Sequence, residues 1–196
     1  MKTIYILLLS STLLSNFLYS STDNHDHCDS SDVNTNERSF TNNFSGTFNG
    51  KKVNYIASLK EKILYEKDNP DEPMASFFYT EYIVDGDKNR PIIFSFNGGP
   101  GSASLWLHMG VLGPKIIKVP SDASDDGSPP YNIVDNKLSP LSDADLVFID
   151  PIGTGYSRAI GCHNGEEFWG VNEDPKIIAE FIRRWISDNN RWNSPR

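Results

Sequence analysis

Apolar and polar positions change rhythm several times along the chain, and each change marks an element. From Phe44 to Tyr65 the segment "FSGTFNGKKVNYIASLKEKILY" holds strand-like runs broken at Asn49-Gly50, a pair that favours the tight turn of a β-hairpin. "MASFFYTEYIV" (Met74 to Val84) is β-branched and aromatic, with polar breaks on both sides, and predicts a further strand. "PIIFSF" (Pro91 to Phe96) and "DLVFID" (Asp145 to Asp150) are short, nearly continuous apolar runs, the pattern of strands buried on both faces. A short helix is expected near Ala103–Met109, followed by the Pro/Ser/Asp-rich loop "VPSDASDDGSPP". After the Gly-rich connection "PIGTGYSRAIGCHNGEEFWGVNED", helical spacing takes over. Ile177, Ile178, Phe181, Ile182, Trp185 and Ile186 form one apolar face of a helix expected over Pro175–Trp192, with Asp174 as its cap. No internal repeat is found. An antiparallel start followed by strand–loop–helix units predicts an α/β sheet protein.

The first residues have a different texture. Lys2 precedes an uncharged stretch from Thr3 to Thr22 with the apolar centre "IYILLLSSTLL", then small residues and a polar run. That layout is a secretory signal peptide, read as residues 1–21, and Ser, Thr and Asn scattered through it argue against a membrane anchor. Residues 22–41 read as a flexible linker and 42–196 as the domain. Export to the periplasm or the extracellular space is the expectation, with no stable membrane partner. The chain has two cysteines, Cys28 and Cys162, too few for a disulfide framework, and whether they pair is left open. The "HDHC" cluster of His25, His27 and Cys28 reads as solvated leader rather than a metal site. At 196 residues and 38% apolar content the chain holds one ordinary core. A net charge of −8 without clustered Lys/Arg excludes nucleic acid as a natural partner.

The chemistry concentrates in "RPIIFSFNGGPGSAS", Arg90 to Ser104. Gly98, Gly99 and Gly101 follow a buried strand directly and let the backbone approach a ligand, while Pro100 stiffens the loop. Peptide N–H groups held this way suit a developing negative charge. A dinucleotide fingerprint would need glycine where Ser104 stands, and no "GK[ST]" follows, so neither a Rossmann site nor a P-loop is expected and no cofactor is implied. An oxyanion hole of an acyl-transfer enzyme fits better, because in the α/β-hydrolase architecture one oxyanion N–H comes from the loop after the third strand.

"NGGPGSAS", "GVLGPK", "DLVFIDPIGTGYSRA" and the terminal "RWNSPR" together resemble the serine carboxypeptidase family of α/β-hydrolases, in its bacterial branch, from about Phe44 to Arg196. The resemblance implies the N-terminal half of an α/β-hydrolase fold with a mixed, mostly parallel sheet. It implies that Gly99 supplies an oxyanion-hole N–H and that Asn97 and Gly98 bind the carboxylate at the substrate's C-terminus. It also exposes departures. Ser102 stands where the family often has Cys, Val111 where an acidic residue helps bind the carboxylate, and Ser95 where a Trp lies near the site.

The triad of this fold runs Ser, Asp/Glu, His, with the serine on an elbow after the fifth strand. "GYSRA" is a near match, but it follows the fourth strand, so Ser157 is read as structural. His108 reads as a packed helix residue, and His163 as a loop histidine without an acidic orienter. The resemblance thus implies that the Ser, Asp and His lie beyond Arg196. Residues 1–196 alone are expected to be inactive, with Pro91–Phe96 as an apolar sheet edge prone to aggregation. The function implied is release of C-terminal residues through a Ser acyl-enzyme, with peptide or protein C-termini as substrates. The alternatives are a non-catalytic exported binding module and a fragment of a carboxypeptidase-like acyltransferase.

Overall fold

Asn49 and Gly50 both take positive φ, 48° and 78°, and turn the chain between β1 (Ser39–Phe48) and β2 (Lys51–Tyr65) as the Asn-Gly pair predicts. The computed structural model describes residues 33–98, 101–120, 122, 124 and 129–195. β1 pairs antiparallel with β2 along its whole length, from Ser39 opposite Lys60 to Phe48 opposite Lys51. Among the described residues, regular structure therefore begins at Ser39, inside the segment read as linker to residue 41. Its polar side chains face solvent, and backbone pairing rather than composition makes it a strand. β3 (Pro73–Val84) continues the meander against β2.

The sheet then becomes mixed. β4 (Ile92–Ser95) and β7 (Asp145–Ile149) run parallel, and the order is β1-β2-β3-β7-β4. A small hairpin of β5 (Lys115–Ile117) and β6 (Ile133–Asp135) and the two-residue β8 (Arg158–Ala159), paired with the start of β3, escaped the sequence reading. Runs of two or three residues carry too little periodicity to register. The expected helix at Ala103–Met109 is one α-turn, α1 (Leu105–Leu107), continued by a π-helical turn over His108–Leu112. The long helix, α2, spans Glu173–Asp188. Asp174 thus lies in its first turn rather than at the cap, where Asn172 stands without a side-chain cap bond.

Alternation along β7 divides two cores. Val147 and Ile149 face Phe77, Ile178, Phe181 and Trp185 under α2, while Leu146 and Phe148 face Phe48, Tyr55, Tyr82 and Leu141 on the other side. All five β7 residues are buried, as its continuous apolar run requires. β4 has β7 as its only strand neighbour among the described residues, and on its other side Ile92 N–H donates to the Pro195 carbonyl at 2.8 Å.

Charge pins the lower end of this sheet. Asp145, fully buried at the start of β7, accepts from Arg191 Nη1 at 2.8 Å, from Arg90 Nε at 3.2 Å and from the Val84 N–H at 3.0 Å. Arg191 also donates to the Arg90 carbonyl and the Ser194 hydroxyl, which ties the segment after α2 to the strand starts. Cys162 is disulfide-bonded; Cys28 and the rest of the leader lie outside the described residues.

Candidate active site

β4 and β7 end side by side, Ser95 opposite Phe148, so the loops that follow them meet at one end of the sheet. Such a meeting of strand C-termini is where open α/β sheets build their sites. The Gly-rich loop leaves β4 through Phe96, Asn97 and Gly98, and Asn97 Nδ2 donates to Ser102 Oγ at 3.2 Å across its neck. A side chain added at Gly98 would meet nothing within 4 Å, so this stretch of backbone is open to an incoming group. Gly101 holds φ at +88°, a conformation glycine adopts without penalty. Gly99, the residue assigned to the oxyanion hole, lies outside the described residues.

Ser104 fastens the far side of the loop. Its N–H donates to Asp150 Oδ1 at 2.8 Å and its hydroxyl to the Ile149 carbonyl, both at the end of β7. Asp150 is therefore the clamp between the two loops, and burial pushes its carboxyl up, opposed by the Ser104 N–H. The same carboxylate explains Gly155, which holds φ at +50° and where a Cβ would collide with Asp150 Oδ2. A cavity of about 230 Å³ lies behind this clamp, with Ser104, His108, Phe148, Asp150 and Tyr156 among its walls.

The histidines and Ser157 resolve into distinct roles. Ser157 is fully buried; its hydroxyl accepts from the Phe78 N–H at 2.8 Å and donates to the Phe78 carbonyl, so it ties the post-β7 loop to β3. His108 stacks on Phe148, ring centroids 4.5 Å apart, and its Nε2 lies 2.6 Å from the Tyr82 hydroxyl. Burial alone drops its pKa to about 4, so the ring is neutral, and the direction of its hydrogen bond with the Tyr82 hydroxyl follows the ring's tautomer. His163 corrects the sequence reading, which gave it no acidic partner. Its Nδ1 is 2.7 Å from Glu167 Oε2, and its Nε2 faces Glu66 at 3.6 Å and Glu72 at 4.0 Å. Glu167 was legible as an i,i+4 neighbour; Glu66 and Glu72 arrive from the β2–β3 connection, which no local pattern announces. Neither ring is hydrogen-bonded to a serine hydroxyl in these contacts. No cluster of His, Cys, Asp and Glu among the described residues is arranged to hold a metal ion.

Val111 and Ser95, the other departures, are ordinary parts of the frame. Val111 is 58% exposed with its carbonyl accepting from Asn136 Nδ2, and Ser95 is buried in β4. Sequence reasoning missed Asp150, although its place at the end of an apolar run, just before a Gly-rich turn, was visible.

Residues 52–194 match the protein family described as serine carboxypeptidase. Among characterised proteins, the chain is similar to serine carboxypeptidase-like 9 of Arabidopsis thaliana, 28% identical over 146 residues, which is 70% of this chain and 31% of the relative. It is 34% identical over 100 residues to the pheromone-processing carboxypeptidase KEX1 of Saccharomyces cerevisiae, 50% of this chain and 12% of that protein. Serine carboxypeptidase-like 36 of Arabidopsis thaliana is 29% identical over 111 residues, 56% of this chain and 20% of the relative. The chain thus spans less than a third of each of these relatives.

Proposed function

The chain belongs to the serine carboxypeptidase family, and from that premise we propose that it forms the oxyanion-side wall of a site that releases C-terminal residues from peptides. In that reading the Gly99 N–H stabilises the tetrahedral oxyanion, and Asn97 and Gly98 hold the free carboxylate of the substrate. The observation that carries it is the Gly-rich loop fixed at the strand ends, closed by Asn97–Ser102 and fastened by Ser104 to Asp150. A backbone donor held between such anchors would stabilise a developing charge without reorganising during the reaction. The nucleophile and its histidine are not supplied by Ser157, His108 or His163, whose contacts are structural. Residues 1–196 by themselves are therefore inactive in this reading, and a segment of the bacterial-type family carrying the serine completes the site. Export is part of the same proposal, and the disulfide at Cys162 supports it, because oxidising compartments sustain such bonds.

The test is a fluorophosphonate probe applied to the natural protein as its cells make it, alongside a peptide with a free C-terminus and the same peptide amidated. Labelling with release of residues from the free form alone supports the proposal. Labelling of a protein that cleaves neither peptide but transfers acyl groups to an added alcohol would move the reading to an acyltransferase. A soluble 196-residue protein that takes no probe would leave a binding module.

In Asn97→Ala, discrimination between the free and amidated peptides should fall by roughly tenfold, about 1.4 kcal/mol, the worth of one hydrogen bond to a charged group. Equal discrimination in variant and parent would remove Asn97 from carboxylate recognition.

A further inference from the structure

Trp169 is an aromatic side chain held rigid yet left open. Its indole Nε1 donates to the Ile152 carbonyl at 3.0 Å. Its ring is wedged between two glycines: a Cβ at Gly153 would lie 2.9 Å from Trp169 Cζ2, and one at Gly165 2.7 Å from it. Gly153 also holds φ at +86°, which disfavours a side chain independently. Despite this fixation Trp169 remains 54% exposed. Burying an aromatic ring against the core would have been the simpler use of tryptophan.

The open part of the ring borders a cavity of about 340 Å³, completed by Gly101 of the Gly-rich loop, Ile152, Thr154, Val171 and Asp174. Asp174 projects from the first turn of α2, where the helix dipole favours a carboxylate. It is half-buried, and no described cation or hydrogen-bond donor meets its side chain. Partial burial without a partner pushes its carboxyl up, so a cation placed beside it would recover interaction energy that the folded chain leaves unused.

We propose that this cavity is a subsite for a cationic side chain, lysine or arginine, of the peptide bound at the Gly-rich loop. The carboxylate of Asp174 would pair with the ammonium or guanidinium, and the face of Trp169 would cover it. An aromatic face within about 6 Å attracts such a cation, more strongly for tryptophan than for other rings. The aliphatic stem would lie along Ile152 and Val171. The proposal rests on the peptidase reading for the identity of its ligand as a peptide, and its location beside Gly101 brings that peptide within reach of the Gly-rich loop.

The experiment uses the natural protein and matched blocked peptides that differ only in carrying Arg, Lys, Leu or Glu at the last or the penultimate position. Arg and Lys should exceed Leu by about tenfold in kcat/KM at one of these positions, and Glu should be poorest. In Asp174→Asn that ratio should collapse toward unity, and in Asp174→Lys the order of Arg and Glu should reverse. A preference for Leu, or a ratio unmoved in Asp174→Asn, overturns the proposal.

A second readout separates it from the peptidase reading. N-acetylarginine amide and N-acetylleucine amide are titrated against the protein while tryptophan fluorescence is followed, with Trp169→Phe to assign the signal. If no peptide is cleaved but the arginine probe alone perturbs Trp169, and Asp174→Asn abolishes the effect, the subsite stands and the peptidase reading falls. If the arginine probe has no effect, or acts equally in Asp174→Asn, the subsite is overturned whatever the activity.

Discussion

Gly155 and Asp150 show how one residue's backbone depends on another's charge. Gly155 sits at φ +50° against the carboxylate that fastens the Gly-rich loop. Gly155→Ala should destabilise the fold by about 1–3 kcal/mol through strain and a displaced clamp. Denaturant titration reads the loss, and an unchanged midpoint would mean that Asp150 moves aside freely. His108 makes a pH prediction at the same scale. Its pKa is about 4 in the fold and 6.5 in the unfolded chain, so the unfolded state takes up the proton first as pH falls. Stability is complete above pH 6.5 and is lost as pH drops toward 4, by at most about 3 kcal/mol. His108→Gln should flatten that part of the profile; a profile equally steep in the variant would place the titration elsewhere.

At the scale of elements, much was legible and the failures are instructive. β3, β4, β7 and α2 announced themselves, because a β-branched and aromatic run, two short continuous apolar runs and a helix with one apolar stripe leave strong traces. The Asn49-Gly50 turn was equally plain. The start of β1 was not, since Ser39 to Asn43 are exposed and, Phe40 apart, polar, and owe their conformation to pairing with Lys60 to Ile56. The helix expected after the Gly-rich loop shrank to a single turn because the loop is anchored at Ser104 and the chain widens into a π turn to seat His108 against Phe148. In the proposed site, Asn97 and Gly98 stand out through the loop's glycines and the family resemblance. Asp150 and the carboxylates around His163 required strands to be placed next to each other first. The face of α2 gives a check on the larger core. Phe181→Ala, which removes ring contacts to Phe77 and Tyr79, should cost about 3–5 kcal/mol. A loss under about 1 kcal/mol would show that α2 is not firmly packed.

At the scale of the whole molecule, the buried ion cluster and the proposed site lie at opposite ends of one sheet. The buried carboxylate of Asp145 gathers two arginines and a backbone N–H where β7 begins, while the Gly-rich loop and its clamp lie where β4 and β7 finish. Asp145→Ala strands two cations near the core and should cost about 3–5 kcal/mol, measurable as a lowered thermal midpoint. A midpoint within error of the parent would deny the cluster its structural role. The outer edge of β4 predicts behaviour in solution as well. With half-buried Ile93 and Phe94 on a strand flanked on one side by β7 alone, the isolated 196-residue chain should self-associate, which sedimentation at rising concentration would reveal. A monodisperse monomer would mean that the Pro195 contact and its surroundings already cover that edge.

Finally, the neck of the Gly-rich loop is closed by an amide and a hydroxyl, Asn97 Nδ2 to Ser102 Oγ. Neither group responds to reductants, thiol reagents or the electron balance of the surrounding medium. That closure of the neck is therefore indifferent to redox conditions, and any sensitivity of the protein to dithiothreitol traces to the bond at Cys162, in the connection between β7 and α2.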